Sequence, residues 1–281
     1  MEIFSTADEL RKWSRNARLA KGNSLGLVPT MGALHKGHAS LIRAASAACT
    51  QVAVSIFVNP TQFGPNEDFA RYPRSFDADC ALAASAGATA IFAPAVEDLY
   101  PQGASTFVEV EGLSSRLDGL SRPGHFRGVA TVVAKLLIAT EADRAYFGQK
   151  DAAQVAVIRR MTTDLRIATQ IVVCPIVRDA DGLALSSRNA YLSPEERAQA
   201  LTLNRAIRHV ESLAASGERN SNALVTGARS IFASVPEIRV DYIECVNWST
   251  LQPIEIATPG TLFAVAAYVG ATRLIDNTIL A

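Results

Sequence analysis

The chain has 281 residues, about half of them apolar and about a fifth charged, so it can bury a large core and is not a disordered segment. Lysine plus arginine equals aspartate plus glutamate, 27 each, which argues against a bulk nucleic-acid or anionic-membrane partner and leaves any anion to a local site. No apolar stretch approaches the roughly 18 residues needed to span a bilayer, and four scattered cysteines without CxxC spacing read as reduced thiols of a cytoplasmic protein.

In chain order, residues 1–22 read as a polar amphipathic helix without the apolar middle of a signal peptide. Then come short β-branched or aromatic runs: LGLVPT (25–30), QVAVSIFVNP (51–60), ATAIFAP (88–94), RAYFG (144–148) and TQIVVCPIV (169–177). Helical patterns lie between them at 38–50, 75–88, 129–142 and 151–165. This alternation predicts an α/β fold, a Rossmann-like doubly wound parallel sheet, with ligands at the carboxyl ends of its strands. After about residue 180 the pattern changes. Ser193 is expected to cap a helix with Pro194 at its first position, and a second helix covers 221–235. Three strand-like runs follow, the last two joined by a glycine-bearing turn that predicts an antiparallel hairpin. The division expected is a domain at 1–180 and a smaller α+β C-terminal domain at 181–281.

The stretch PTMGALHKGH (29–38) carries most of the chemistry. A strand ends at Pro29, Gly32 loosens the turn, and a helix opens near Gly37 or His38. Backbone N–H groups and the positive end of the helix dipole favour phosphate there. His35 and His38, three apart, share one helix face and can donate to phosphate oxygens. Satisfied loop histidines remain an alternative reading. So does a zinc pair, for which no third ligand stands at plausible spacing.

Three other stretches offer matching chemistry. FGQKDAAQ (147–154) joins a strand to a helix, with Lys150 as a point charge for phosphate or simply a solvated lysine, and Asp151 as a natural N-cap. Ser186, Ser187 and Arg188 set two hydroxyls beside a forked guanidinium, as triphosphate oxygens require or as an ordinary polar loop allows. Gln62 and Gln154 are neutral amides suited to a small hydroxy acid. The SRPGHFRGV stretch (121–129) reads either as a wall closing over reactants or as a helix-entry loop.

PTMGALHKGH resembles the HxGH signature of adenylyl-transferring enzymes, shared with class I aminoacyl-tRNA synthetases. Together with SIFVNPTQFGPNEDFARYPR (55–74), SRPGHFRGV, YFGQKDAAQ (146–154) and DGLALSSRNAYLS (181–193), the ordered set resembles the pantoate–β-alanine ligase family, the pantothenate synthetases. That resemblance implies ATP as substrate, pantoate and β-alanine as the other two, no nucleic-acid or membrane partner, a cytoplasmic homodimer, and a C-terminal domain closing over the active site. It implies catalytic roles for His35, His38 and Lys150. ATP contacts are implied for Met31, Gly32, His35, His38, Gly148, Lys150, Asp151 beside the ribose, Val177 through its backbone to adenine, Leu185, Ser186, Ser187 and Arg188. Pantoate contacts are implied for Pro29, Met31, Phe57, Asn59, Gln62 and Gln154. For Met31 and Phe57, plain core packing is the competing account.

Family members often carry Glu and Tyr where this chain has Gln149 and Ala152. A carboxylate cluster linked to magnesium in some members is here reduced to Asp77 and Asp79 around Ala78, with Leu82 further on. No protein metal site is therefore expected, and Mg2+ would arrive on the ATP phosphates. Two rival readings stay open: an adenylyltransferase for another small acid, and an ATP-binding module without turnover.

Overall fold

The computed structural model describes residues 1–19, 22–65 and 67–281. Ala20 and Lys21, at the end of the first helical pattern, and Asn66, within the 55–74 motif, lie outside the described residues. The elements run β1 (Glu2–Phe4), α1 (Ala7–Leu19), β2 (Leu25–Thr30), α2 (Lys36–Ala48), β3 (Gln51–Ile56), α3 (Phe76–Ala86), β4 (Ala90–Phe92), α4 (Val96–Leu99), α5 (Asp118–Ser121) and α6 (His125–Thr140). After these come β5 (Arg144–Gly148), α7 (Ala152–Asp164), β6 (Gln170–Cys174), α8 (Pro194–Ala215), α9 (Ser221–Ala233), β7 (Arg239–Asn247), β8 (Thr261–Val269) and β9 (Thr272–Ile279).

The first six strands form one parallel sheet in the order β1-β4-β3-β2-β5-β6. Every inner strand is apolar on both faces, as a buried parallel sheet requires. Val28, Val52, Val54 and Ile91 join residues of α2 and α3 in one cluster. Their strand neighbours Leu25, Leu27 and Ala53 point the other way by the two-residue period and are equally buried, so that face is covered too. The expected Rossmann-like sheet is present.

From β2 the chain winds outward through β3 to β4, then crosses back to β5 and β6, so the strand order reverses between β2 and β5. The ladder between those two strands consists of Gly26 with Arg144 and Leu27 with Ala145, although both strands run on for three more residues. Their carboxyl ends therefore splay. A crevice at such a reversal is where doubly wound sheets bind ligands.

The chain divides into two compact units, Met1–Gly148 with Val157–Cys174, and Gln149–Ala156 with Pro175–Ala281. The second unit contains an antiparallel sheet, β7-β8-β9, including the expected β8–β9 hairpin. Its core joins α8 and α9 to the sheet through Leu203, Ile207, Phe232, Phe263 and Val265. Ser193 and Glu196 form a reciprocal capping box at α8, with Pro194 in the first position.

Several local expectations need correction. Residues 1–22 are not one helix: Glu2–Phe4 pair in parallel with β4, and only Ala7–Leu19 is helical. The run 51–60 stops being strand at Ile56, because Asn59 caps a 3-10 turn over Pro60–Gln62. The run 169–177 ends at Cys174, before Pro175, whose missing N–H cannot serve a ladder. Asp151 closes a 3-10 turn, Gln149–Asp151, that runs directly into α7 at Ala152. His125 and Arg127 belong to the first turn of α6 instead of preceding it.

Candidate functional site

At the carboxyl end of β2, Gly32 takes φ +84° and Ala33 φ +49°, left-handed values that turn the chain sharply into α2. His35 is the N-cap. Its Nδ1 accepts the backbone N–H of Gly37 at 3.1 Å, while His38 Nδ1 accepts the N–H of His35 at 3.3 Å. Two imidazoles thus build the reciprocal cap that Ser/Thr and Glu/Gln usually build. With both δ nitrogens accepting, the hydrogen of each neutral ring sits on Nε2, at the edge away from the main chain. The rings lie 4.1 Å apart between centroids. HKGH therefore does two jobs at once: it caps a helix and fixes the tautomer of a paired set of donors.

The turn before the histidines is held from α3. Asp79 is 2% exposed; its Oδ2 accepts from Ala33 N–H at 2.9 Å and its Oδ1 from Leu34 N–H at 2.8 Å. Ser75 Oγ adds a third bond to Oδ1 at 3.0 Å.

A second cluster in the same unit centres on Asn59, 1% exposed. Its Oδ1 accepts from Thr61 N–H, Thr61 Oγ1 and Tyr100 Oη, and its Nδ2 donates to Gln62 Oε1 at 3.1 Å and to Gly128 C=O at 3.1 Å. Burial pushes the Tyr100 phenol up against the lowering pull of these bonds, so it stays a donor at neutral pH. Gln62 is left with its oxygen engaged and its amide N–H contacting Met31 Sδ. Phe57 is buried, 6.3 Å from the Tyr100 ring, and its N–H reaches Thr30 C=O. Pro29 thus lies on β2, Met31 just after it, and Phe57, Asn59 and Gln62 in the turn that follows the carboxyl end of β3.

The backbone at Gln62 is itself clamped. His125 Nδ1–H donates to Gln62 C=O at 2.8 Å, and Arg122 Nη1 donates to His125 Nε2 at 3.0 Å. Arg122 also makes a bidentate pair with Glu67, 2.8 and 2.5 Å. Burial, then the Arg122 charge, lowers His125 to about 4, against weaker pulls from Asp118 and Glu67. Burial pushes the Glu67 carboxyl up, but Arg122 outweighs it and holds the group below its ordinary range. The His125 ring is neutral at physiological pH. The 121–129 stretch is therefore a helix entry that locks the Gln62 turn.

The second unit carries the remaining predicted residues except Gly148, which ends β5 in the first. Lys150 Nζ lies 3.8 Å from Asp151 Oδ1. The main chain beneath it is gripped by Asn277, 3% exposed on β9, which donates to Gln149 C=O at 3.0 Å and Lys150 C=O at 2.8 Å. Gln149 returns a bond to Asn277 Oδ1, and Trp248 Nε1 donates to Ala152 C=O. Gln154 lies in the first turn of α7. Leu185 N–H donates to Val177 C=O at 3.0 Å, so those two positions form one bonded pair. Ser186 caps the 3-10 turn Ser187–Tyr191 through its Oγ and Arg188 N–H.

Asn277, Trp248 and Tyr100 carry no sequence signal, and the 121–129 motif does not show that its Gly128 meets Asn59, because nothing local marks a partner that arrives from a distant element. Asp79 shows in the sequence only as the remnant of a metal cluster. One signal was available: the i, i+3 spacing of His35 and His38 matches a capping box, with imidazole nitrogens in place of oxygens.

A family model described as pantoate-beta-alanine ligase matches residues 2–279. A pantothenate synthetase of Acidobacterium capsulatum is 60% identical over 284 residues, covering 99% of this chain and 94% of the relative. The crystal structure of pantothenate synthetase from Thermus thermophilus superposes with a TM-score of 0.93 at 45% identity, over 99% of each chain. That of the pantoate-beta-alanine ligase from Francisella tularensis, complexed with beta-gamma ATP and beta-alanine, gives 0.80 at 35% identity, over 99% of this chain and 97% of that one.

Proposed function

Because the chain belongs to the pantoate–β-alanine ligase family, we propose that it joins pantoate to β-alanine through a pantoyl adenylate, with ATP taken as its magnesium complex. One carboxylate oxygen of pantoate attacks the α-phosphorus. The bond from that phosphorus to the β-bridging oxygen breaks, and pyrophosphate leaves. The β-alanine amine then attacks the activated carbonyl, loses a proton, and AMP departs with the carbonyl-to-phosphate oxygen.

No covalent nucleophile is required, so the rate rests on positioning and on stabilising charge. The observation that carries this reading is the imidazole cap at the reversal point of the sheet. Two Nε2–H donors with a fixed tautomer, next to a helix N-terminus, suit phosphoryl oxygens that gain charge during transfer. Gln62, its oxygen engaged by Asn59, offers N–H to a hydroxyl or carboxylate, and Pro29, Met31 and Phe57 supply apolar contact for pantoate's methyl groups. Gln154 is assigned to the same substrate. In the second unit Lys150, Ser186, Ser187 and Arg188 are assigned to the phosphates, Asp151 to the ribose, and Val177 with Leu185 to adenine through the backbone. Magnesium would be held mainly by phosphate oxygens and water. A homodimer in the cytoplasm belongs to the same proposal, carried over from the family.

The test is pantoate-dependent exchange of labelled pyrophosphate into ATP, without β-alanine. Wild type should exchange, and His38→Ala should lose about 10²–10³-fold while staying folded. Exchange at the wild-type rate in that variant would remove His38 from the chemistry.

A further inference from the structure

We propose that Asp79 is a positioning residue of the adenylation step, acting through the turn that presents His35 and His38 and not through a metal. The inference rests on the roles given to those histidines above. Three observations meet at this carboxylate. It is buried, and its two oxygens take the N–H groups of consecutive residues, Ala33 and Leu34, immediately before the His35 cap. The turn holds two left-handed positions, Gly32 and Ala33, and the second is costly for a side chain with Cβ. A strained turn persists only where its surroundings over-determine it, and Asp79 supplies two fixed acceptors from a separate helix.

Gly32 sits close against the clamp and against β3. A Cβ on Gly32 would come 3.0 Å from Asp79 Oδ2 and 3.2 Å from Ile56 Cγ2. The negative charge lies in the first turn of α3, where the helix dipole favours it without a cation. Ser75 Oγ occupies a further acceptor site on Oδ1. Asp79 therefore has backbone and hydroxyl partners for its oxygens, an arrangement suited to holding a loop. Release of this clamp lets the turn rotate toward commoner backbone angles. The N–H of His35 then leaves His38 Nδ1, and the ring loses the contact that fixes its hydrogen on Nε2.

Asp79→Asn tests this, because it keeps the shape and turns one acceptor into a donor facing a backbone N–H. The variant should show wild-type circular dichroism, and pyrophosphate exchange reduced about 10²-fold at saturating ATP and magnesium, the effect of misplacing a catalytic group by about an ångström. Nitrogen-15 spectra of the histidine rings should change from a single Nε2–H form of His38 to a tautomer mixture, which a merely stabilising residue would not produce. Wild-type exchange with unchanged His38 signals overturns the proposal. So does activity restored by raising magnesium alone, since that makes Asp79 a metal ligand. Should Asp79→Asn not fold, Ser75→Ala is expected to lower exchange a few-fold with unchanged magnesium dependence, and wild-type exchange in it overturns the proposal equally. The ring spectra read the clamp whether or not His38 proves catalytic, so failure here and failure of the adenylation reading are separable.

Discussion

Replacing His125 by asparagine should flatten the acid limb of the stability curve. In the folded protein His125 is lowered from 6.5 to about 4 by burial and by Arg122. The folded state thus binds fewer protons than the unfolded chain. Its contribution is complete above pH 6.5 and is lost as the pH falls toward about 4. The whole gap is worth at most about 3 kcal/mol at about 1.4 kcal/mol per unit. Between pH 7 and pH 5 linkage predicts a loss of about 2 kcal/mol from this one ring. The introduced asparagine would keep an N–H for Gln62 C=O in place of Nδ1, leave the Arg122–Glu67 pair intact, and carry no titratable group. Urea unfolding at both pH values measures the difference. The variant begins less stable at pH 7, and the gap to wild type should shrink by about 2 kcal/mol at pH 5. Glu67, also held low, loses its contribution only as the pH falls below its ordinary value of 4.5, and it is present in both proteins. Unfolding curves that shift in parallel would refute the part-buried neutral imidazole.

Gly128→Ala should cost roughly 1–3 kcal/mol as an overpacked contact, because a Cβ there would stand 2.3 Å from Thr61 C=O oxygen and 2.6 Å from Gln62 N. It should also raise the KM for pantoate more than that for ATP; an equal rise in both would detach the Gln62 turn from pantoate. Asp276→Asn should destabilise by about 3 kcal/mol, since Asp276 is 2% exposed and bonds Arg178 through both oxygens, at 2.6 and 2.9 Å. A thermal midpoint unchanged in that variant would contradict the pair's structural role.

Much of the fold was legible because parallel strands and their helices announce themselves by period. LGLVPT, QVAVSI and RAYFG are apolar on both faces, and helices such as α8 carry explicit start signals in Ser193, Pro194 and Glu196. Glu2–Phe4 gave no such signal. Three residues with an exposed glutamate cannot be told from a helix lead-in until β4 is there to pair with. The site was legible in its motifs but not in its supports. HKGH named both histidines, yet the clamp on their turn is Asp79, more than forty residues later, and the grip on Lys150 is Asn277 on the last strand. Such partners are set by topology, which sequence spacing does not encode. The Asn59 hub shows the same limit: its own motif was visible, whereas Tyr100 and Gly128 come from other segments.

The proposed chemistry turns on a carboxylate oxygen of pantoate becoming bonded to the α-phosphorus of ATP. Pantoate labelled with oxygen-18 in its carboxylate, turned over with ATP and β-alanine, follows that atom by mass spectrometry. One labelled oxygen should appear in each AMP and none in pyrophosphate. Label-free AMP, with the oxygen lost from pantoate found in pyrophosphate, inorganic phosphate or water instead, would contradict it.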